Sequence, residues 1–165
     1  MTWNINNLKH CILIKKTSEI YDIIYVGGNS MKEVMKTNIY DVEDTIIIVG
    51  SCLKNMQPKG YDKLSSISKN IYELCLEETH VNMAITKIGG MLRTGKVHNI
   101  IFATVDKSPH CIQVHYIQDE LKKMMNIENI KITNYVVVND ELVEITPEII
   151  SLSKNLSELK NKCNL

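Results

Sequence analysis

The chain has little of what nucleic-acid-binding proteins use. Its 165 residues include one arginine, Arg93, and 5% aromatic residues, and 19 basic side chains balance 19 acidic ones. Binding to a phosphate backbone needs an excess of basic side chains, and single-stranded nucleic acid also needs aromatic surfaces on which bases stack. Nucleic-acid binding is therefore the least favoured class of function. Arginine is the side chain that usually binds a phosphate or carboxylate through two hydrogen bonds, and Arg93 is the one arginine of the sequence.

Long apolar runs and a regular cysteine pattern are also missing. The longest apolar run, around residues 45–49, is far shorter than the roughly 20 residues of a membrane-spanning helix. The first seven residues have neither the charged nor the apolar region of a signal peptide. The five cysteines are odd in number, widely spaced and without a Cys-x-x-Cys pair, which argues against a disulfide framework. We expect a soluble cytoplasmic protein.

Strand patterns recur along the chain. Short runs rich in β-branched residues predict strands at 11–15, 22–26, 45–50, 97–104 and 132–138. The runs around 45–49 and 100–103 are apolar on both faces, which is typical of parallel strands covered by helices. The first two runs are close enough to form a hairpin. Asn139-Asp140 predicts a tight turn into an edge strand at 141–145.

Apolar residues at intervals of three and four predict four helices. Their stripes run from Leu64 to Cys75, from Val81 to Leu92, from Val114 to Met124 and from Ile149 to Leu159. Thr79 is expected to cap the second helix, and Gly95 to end it. Ser108-Pro109 and Thr146-Pro147 are expected to open the last two.

The alternation of strands and helices predicts an α/β fold. We expect a single domain over residues 1–165, a three-layer, Rossmann-like sandwich with a mostly parallel central sheet. Right-handed crossovers would place helices on both faces, and antiparallel strands could lie at the edges.

Three motifs resemble known sites but lack parts of them. Residues 90–96 have the glycine and lysine spacing of a phosphate-binding loop, but they run from helix to strand and no Ser or Thr follows. Gly27 and Gly28 follow a predicted strand and would let a phosphate approach the backbone, yet nothing extends them to a dinucleotide fingerprint. Glu77 and His80 form one Glu-x-x-His pair, whereas a di-iron site needs two such pairs and two more glutamates.

One segment combines several reactive side chains. Residues 104–115 leave a buried strand and enter a helix, and open α/β sheets bind ligands outside the carboxyl ends of their strands. Cys111 is predicted in the first turn, where the helix dipole favours the thiolate, so we expect its pKa to fall. His115 lies one turn later on the same face, and Asp106 flanks the entrance. Cys111, His115 and Asp106 are the candidate catalytic residues.

A metal site is a second use of the same segment. Cys52 directly follows the strand at 45–50 and would face the same crevice if that strand neighbours the strand at 97–104. A thiolate and an imidazole are ligands that zinc and iron accept. The candidate ligands are Cys52, His80, His110, Cys111 and His115.

Three classes of function stay open. The first is an enzyme or redox protein that uses the Cys/His cluster, with zinc, iron or bare thiols. The second is a module without catalytic activity that binds a nucleotide or another anionic metabolite through Gly27, Gly28 and Ser108. The third is a partner subunit, for example a homodimer. The sequence does not decide between an enzyme and a binding module.

Overall fold

The computed structural model describes residues 12–17, 20–25 and 32–163. The chain divides into two units, residues 1–31 and 32–165. In the first unit, β1 (Ile12–Thr17) pairs antiparallel with β2 (Ile20–Tyr25), as the sequence predicts. The single domain over residues 1–165 stays a prediction.

The second unit is built on a six-stranded sheet. Its strands are β3 (Lys32–Glu33), β4 (Asp44–Gly50), β5 (Ile71–Leu74), β6 (Val97–Val105), β7 (Lys131–Val138) and β8 (Glu141–Glu144). They lie in the order β3-β5-β4-β6-β7-β8. The first five are parallel to one another, and β8 pairs antiparallel with β7 at one edge.

Helices cover both faces of this sheet. They are α1 (Leu53–Met56), α2 (Pro58–Ile67), α3 (Val81–Arg93), α4 (Ile112–Met124), α5 (Pro147–Ser153) and α6 (Leu156–Lys162). Ile46 and Ile48 of β4 pack in a core cluster with buried residues of α3 and α4, whereas Ile47 and Val49 pack in a second cluster with α1 and α2. Successive side chains of a strand point to opposite faces, so each core fills one side of the sheet. The predicted three-layer α/β sandwich is confirmed.

The strand β5 corrects the first predicted helix. The stripe from Leu64 to Cys75 is helical only as far as Ile67, and Ile71–Leu74 pairs with both β4 and β3. A short apolar run fits a buried strand and a helix segment equally well by periodicity. Residues 71–74 form a strand and not a helix because they pair with a neighbouring strand on each side.

The last predicted helix is also wrong, because two short helices stand in its place. The side chain of Asn155 accepts a hydrogen bond from the backbone N–H of Glu158 and so caps α6. Ile150 is the buried apolar residue of α5, whereas Ile149 and Leu156 of the predicted stripe are 51% and 75% exposed.

The predicted turns are mostly in place. Gly95 has a φ of +73° just after α3, which is the left-handed conformation that favours glycine. Asn139 and Asp140 both have positive φ, as the tight turn between β7 and β8 requires. The cap of α3 differs, since His80 and not Thr79 precedes its first residue. Among the described residues, no helix is long and apolar enough to cross a membrane.

Candidate functional site

The carboxyl ends of β4 and β6 lie side by side at the centre of the sheet. From β4 the chain continues to β5 on one side, and from β6 it continues to β7 on the other. In open α/β sheets such a switch in direction marks the crevice where ligands bind. The segment after β4 carries Cys52, and the segment after β6 runs to Cys111. The sequence predicts that Cys52 and Cys111 face one crevice if these two strands are neighbours. The strands β4 and β6 do pair with each other, so this condition is met.

Cys111 lies at this switch point as a buried thiol. It is 7% exposed, and its Sγ lies 2.9 Å from the position that a Cβ on Gly50 would occupy. The thiol thus packs on the backbone at the end of β4. Burial raises the pKa of the Cys111 thiol above its ordinary value, and the hydrogen bonds with Ser108 and Val105 oppose that rise only in part. The predicted fall in this pKa is wrong, because desolvation of the buried thiol is the largest contribution and raises the pKa.

The backbone amides at the start of α4 have partners within their own turn. The helix begins at Ile112, three residues after the predicted Pro109. The N–H of Cys111 donates to Ser108 Oγ at 3.3 Å, and the N–H of Ile112 donates to the Ser108 carbonyl at 3.2 Å. The N–H of Gln113 donates to the carbonyl of His110. An anion would have to displace these bonds, which weakens the case for Ser108 as an anion ligand.

His115 is buried and uses both ring nitrogens. Its Nε2 lies 2.8 Å from Thr104 Oγ1, and its Nδ1 lies 2.9 Å from Asn134 Oδ1. An amide oxygen only accepts, so Nδ1 carries the ring hydrogen. Burial lowers the pKa of His115 more than the hydrogen bond with Asn134 raises it, which favours the neutral ring. The unprotonated Nε2 therefore accepts the hydrogen of the Thr104 hydroxyl.

The hydrogen-bonded chain continues beyond His115. Asn134 Nδ2 donates to Gln118 Oε1 at 3.3 Å, while Gln118 Nε2 has no hydrogen-bond partner among the described residues. All four side chains are at most 3% exposed. The chain links β6, α4 and β7, and we call Thr104, His115, Asn134 and Gln118 the buried polar chain.

A cavity of about 370 Å³ opens beside this chain. Thr104 and His115 contribute to its lining, as do Tyr116 and the loop that follows β6. The apolar part of the lining includes Val136, Ile145, Ile149 and Ile150. Small-molecule sites commonly have about 300–1,000 Å³ of apolar space with a few polar groups. This cavity fits that description at its lower end.

A larger depression of about 820 Å³ lies at the other end of the sheet. Residues 122–128 at the end of α4 line it, together with Ile130 and Ile132 near the start of β7. None of the buried polar chain borders it. We therefore place the candidate site in the smaller cavity, at the carboxyl end of β6.

The predicted metal ligands do not come together. Cys52 and His80 are exposed residues that precede α1 and α3. His110 is 47% exposed, and its Nδ1 lies 2.6 Å from Glu77 Oε1. Within residues 32–163, no three His, Cys, Asp or Glu side chains are grouped closely enough to hold a metal ion. The predicted ligand set for zinc or iron is therefore not assembled.

The other predicted site residues fall in different places. Asp106 is exposed in the loop that lines the cavity, and Ser108 lies in the same loop. Gly27 and Gly28 lie outside the described residues. Sequence reasoning missed Thr104 and Asn134, although a polar Asn134 among the β-branched residues of a predicted strand was a usable signal.

The family comparison agrees with this architecture. A family model described as a Rossmann-like domain matches residues 42–164, and the chain belongs to this family. No curated protein and no solved structure matches the chain significantly. One fold of this kind hosts many chemistries, so the function has to be argued from the site.

Proposed function

We propose that this Rossmann-like domain is a binding module for a small organic molecule in the cavity beside Thr104 and His115. The observation that carries the proposal is the cavity itself, which places a buried polar pair against apolar walls at the carboxyl end of β6. That combination favours ligands that pair an apolar body with one polar group.

The hydrogen bonds of the pair suggest what the polar group of the ligand would be. The Thr104 hydrogen is used by His115 Nε2, but a hydroxyl oxygen has two lone pairs and can accept a further hydrogen bond. A ligand N–H or O–H fits that acceptor. A phosphate would find a neutral imidazole and helix amides that already have partners, which favours an uncharged ligand over a nucleotide.

The proposal is tested by ligand-observed NMR with a library of small uncharged fragments. Ile149→Trp would fill the cavity, while Ile67→Trp on α2 is the matched control, since the two isoleucines are 51% and 49% exposed. We expect fragments that bind the unmodified protein and the Ile67→Trp variant but not the Ile149→Trp variant. Equal binding to both variants, or no binding fragment at all, would contradict the proposal.

The remaining expectations stay predictions. Thiol or metal chemistry around Cys111 has less support than ligand binding, because that thiol is buried and its pKa is raised. A homodimer is checked by light scattering coupled to gel filtration, and a cytoplasmic location by cell fractionation. An anionic ligand at Gly27 and Gly28 is checked by thermal shift with nucleotides.

A further inference from the structure

The buried polar chain has the same order of groups as the triads that carry out acyl transfer. In those triads a hydroxyl donates to an imidazole Nε2, and the Nδ1–H donates to an oxygen of a third residue. Thr104, His115 and Asn134 make these two bonds at 2.8 and 2.9 Å. Both distances lie within the roughly 2.6–3.2 Å expected of an activated nucleophile and its base.

We propose that the buried polar chain catalyses acyl transfer from a small ester or thioester that occupies the cavity. Thr104 is the nucleophile, His115 the general base, and Asn134 the positioning residue that holds the imidazole tautomer. The inference rests on the proposed function, because the substrate must enter the same cavity. The apolar lining suits a short aliphatic or aromatic acyl group.

The reaction needs no oxidant or other co-reactant besides water. Thr104 Oγ1 attacks the carbonyl carbon while its proton moves to His115 Nε2. The tetrahedral intermediate then breaks the bond to the leaving group, which takes that proton and departs as an alcohol or thiol. Water attacks the acyl-threonine with His115 again as base, and the carboxylic acid leaves as Thr104 recovers its proton. The net change is hydrolysis of one ester or thioester bond.

Two further observations support the assignment. The cavity borders Thr104 and His115 themselves, which are each 1% exposed and form part of its buried wall. Three residues after Thr104, Lys107 has a φ of +65° and lines the same cavity. Backbone held in the left-handed region is costly and is found preferentially at ligand and active sites.

The test uses p-nitrophenyl acetate with the full chain. Nitrophenol release is followed by absorbance, and acid-quenched protein is mapped by peptide mass spectrometry. We expect either acetyl on Thr104 or Thr104-dependent turnover. Thr104→Val and His115→Gln should lower either signal by about a hundredfold or more, whereas Thr104→Ser should retain it.

The controls separate this chemistry from surface reactions. His98→Gln removes a histidine that is 69% exposed and should leave the rate unchanged. Circular dichroism checks that each variant is folded, and the wild-type map alone decides if a variant is not. The inference is overturned if the wild type shows no acetyl-Thr104 and no Thr104-dependent release. Equal acetylation of Thr104 in His115→Gln would overturn it as well. Fragment binding without acylation would remove this inference and leave the proposed function standing.

Discussion

The buried polar chain makes a quantitative prediction about stability. Asn134 is 3% exposed, accepts from His115 Nδ1 and donates to Gln118 Oε1. Asn134→Leu keeps a side chain of similar size but leaves both of those groups without a partner. A buried polar group that loses its partner costs roughly 1–3 kcal/mol. Since two groups are affected, we expect Asn134→Leu to lower the free energy of unfolding by about 2–6 kcal/mol.

A matched control is available on the neighbouring strand. Asn99 on β6 is half-buried, and its side chain makes one hydrogen bond, to Thr45 Oγ1 at 3.1 Å. Asn99→Leu makes the same chemical change in a strand but should cost about 1 kcal/mol or less. Urea unfolding followed by circular dichroism gives both free energies by linear extrapolation. If the two variants differ by less than about 0.5 kcal/mol, the polar chain does not stabilise the core as argued.

Three further predictions concern other parts of the second unit. The pKa of His115 is lower in the folded chain than in the unfolded one. The stability that the neutral ring contributes is therefore complete above the unfolded pKa, near 6.5. It is lost as the pH falls from there toward the folded pKa. The slope, up to about 1.4 kcal/mol per pH unit, should be absent from urea titrations of His115→Gln, and an unchanged slope would point to other groups. Gly60→Ala should destabilise the protein by about 1–3 kcal/mol, because its Cβ would lie 2.4 Å from Val137 Cγ1. Gly90→Ala in α3 meets only ordinary contacts and should be neutral or stabilising in thermal melts. A neutral Gly60→Ala would contradict this packing. Iodoacetamide should label the exposed Cys52 at least about tenfold faster than Cys111 in the folded protein, as measured by peptide mass spectrometry, and the reverse order would refute the burial argument.

The family and the site answer different questions about this protein. The match to Rossmann-like domains establishes the architecture of residues 42–164 and agrees with the parallel sheet. It does not choose a ligand, because this fold hosts many chemistries. The cavity beside Thr104 and His115 is what makes a ligand-binding function testable.

Strands and turns with a strong local signal were predictable from the sequence. The β-branched runs that became β4, β6 and β7 were predicted within one or two residues, and so was the turn at Asn139-Asp140. Each depends on neighbouring residues, through apolar patterning or the positive φ that a tight turn requires. The strand β5 was missed because four residues do not show a reliable period.

The candidate site was predictable in position but not in chemistry. That a crevice would lie after the strand at 97–104 follows from strand polarity, and the sequence also showed Cys111 and His115 one turn apart. The pKa of Cys111 depends on its burial against Gly50, which the helix start alone does not determine.

The continuous apolar runs of β4 and β6 determined the layers of the fold, because a strand that is apolar on both faces is stable only with helices on both sides. The strand order, and with it the neighbours of each side chain, was decided by the tertiary structure. His115 meets Thr104 and Asn134, which are 11 and 19 residues away in sequence. No local pattern encodes such contacts, since they form only when β6, α4 and β7 pack together and exclude water from the polar groups between them.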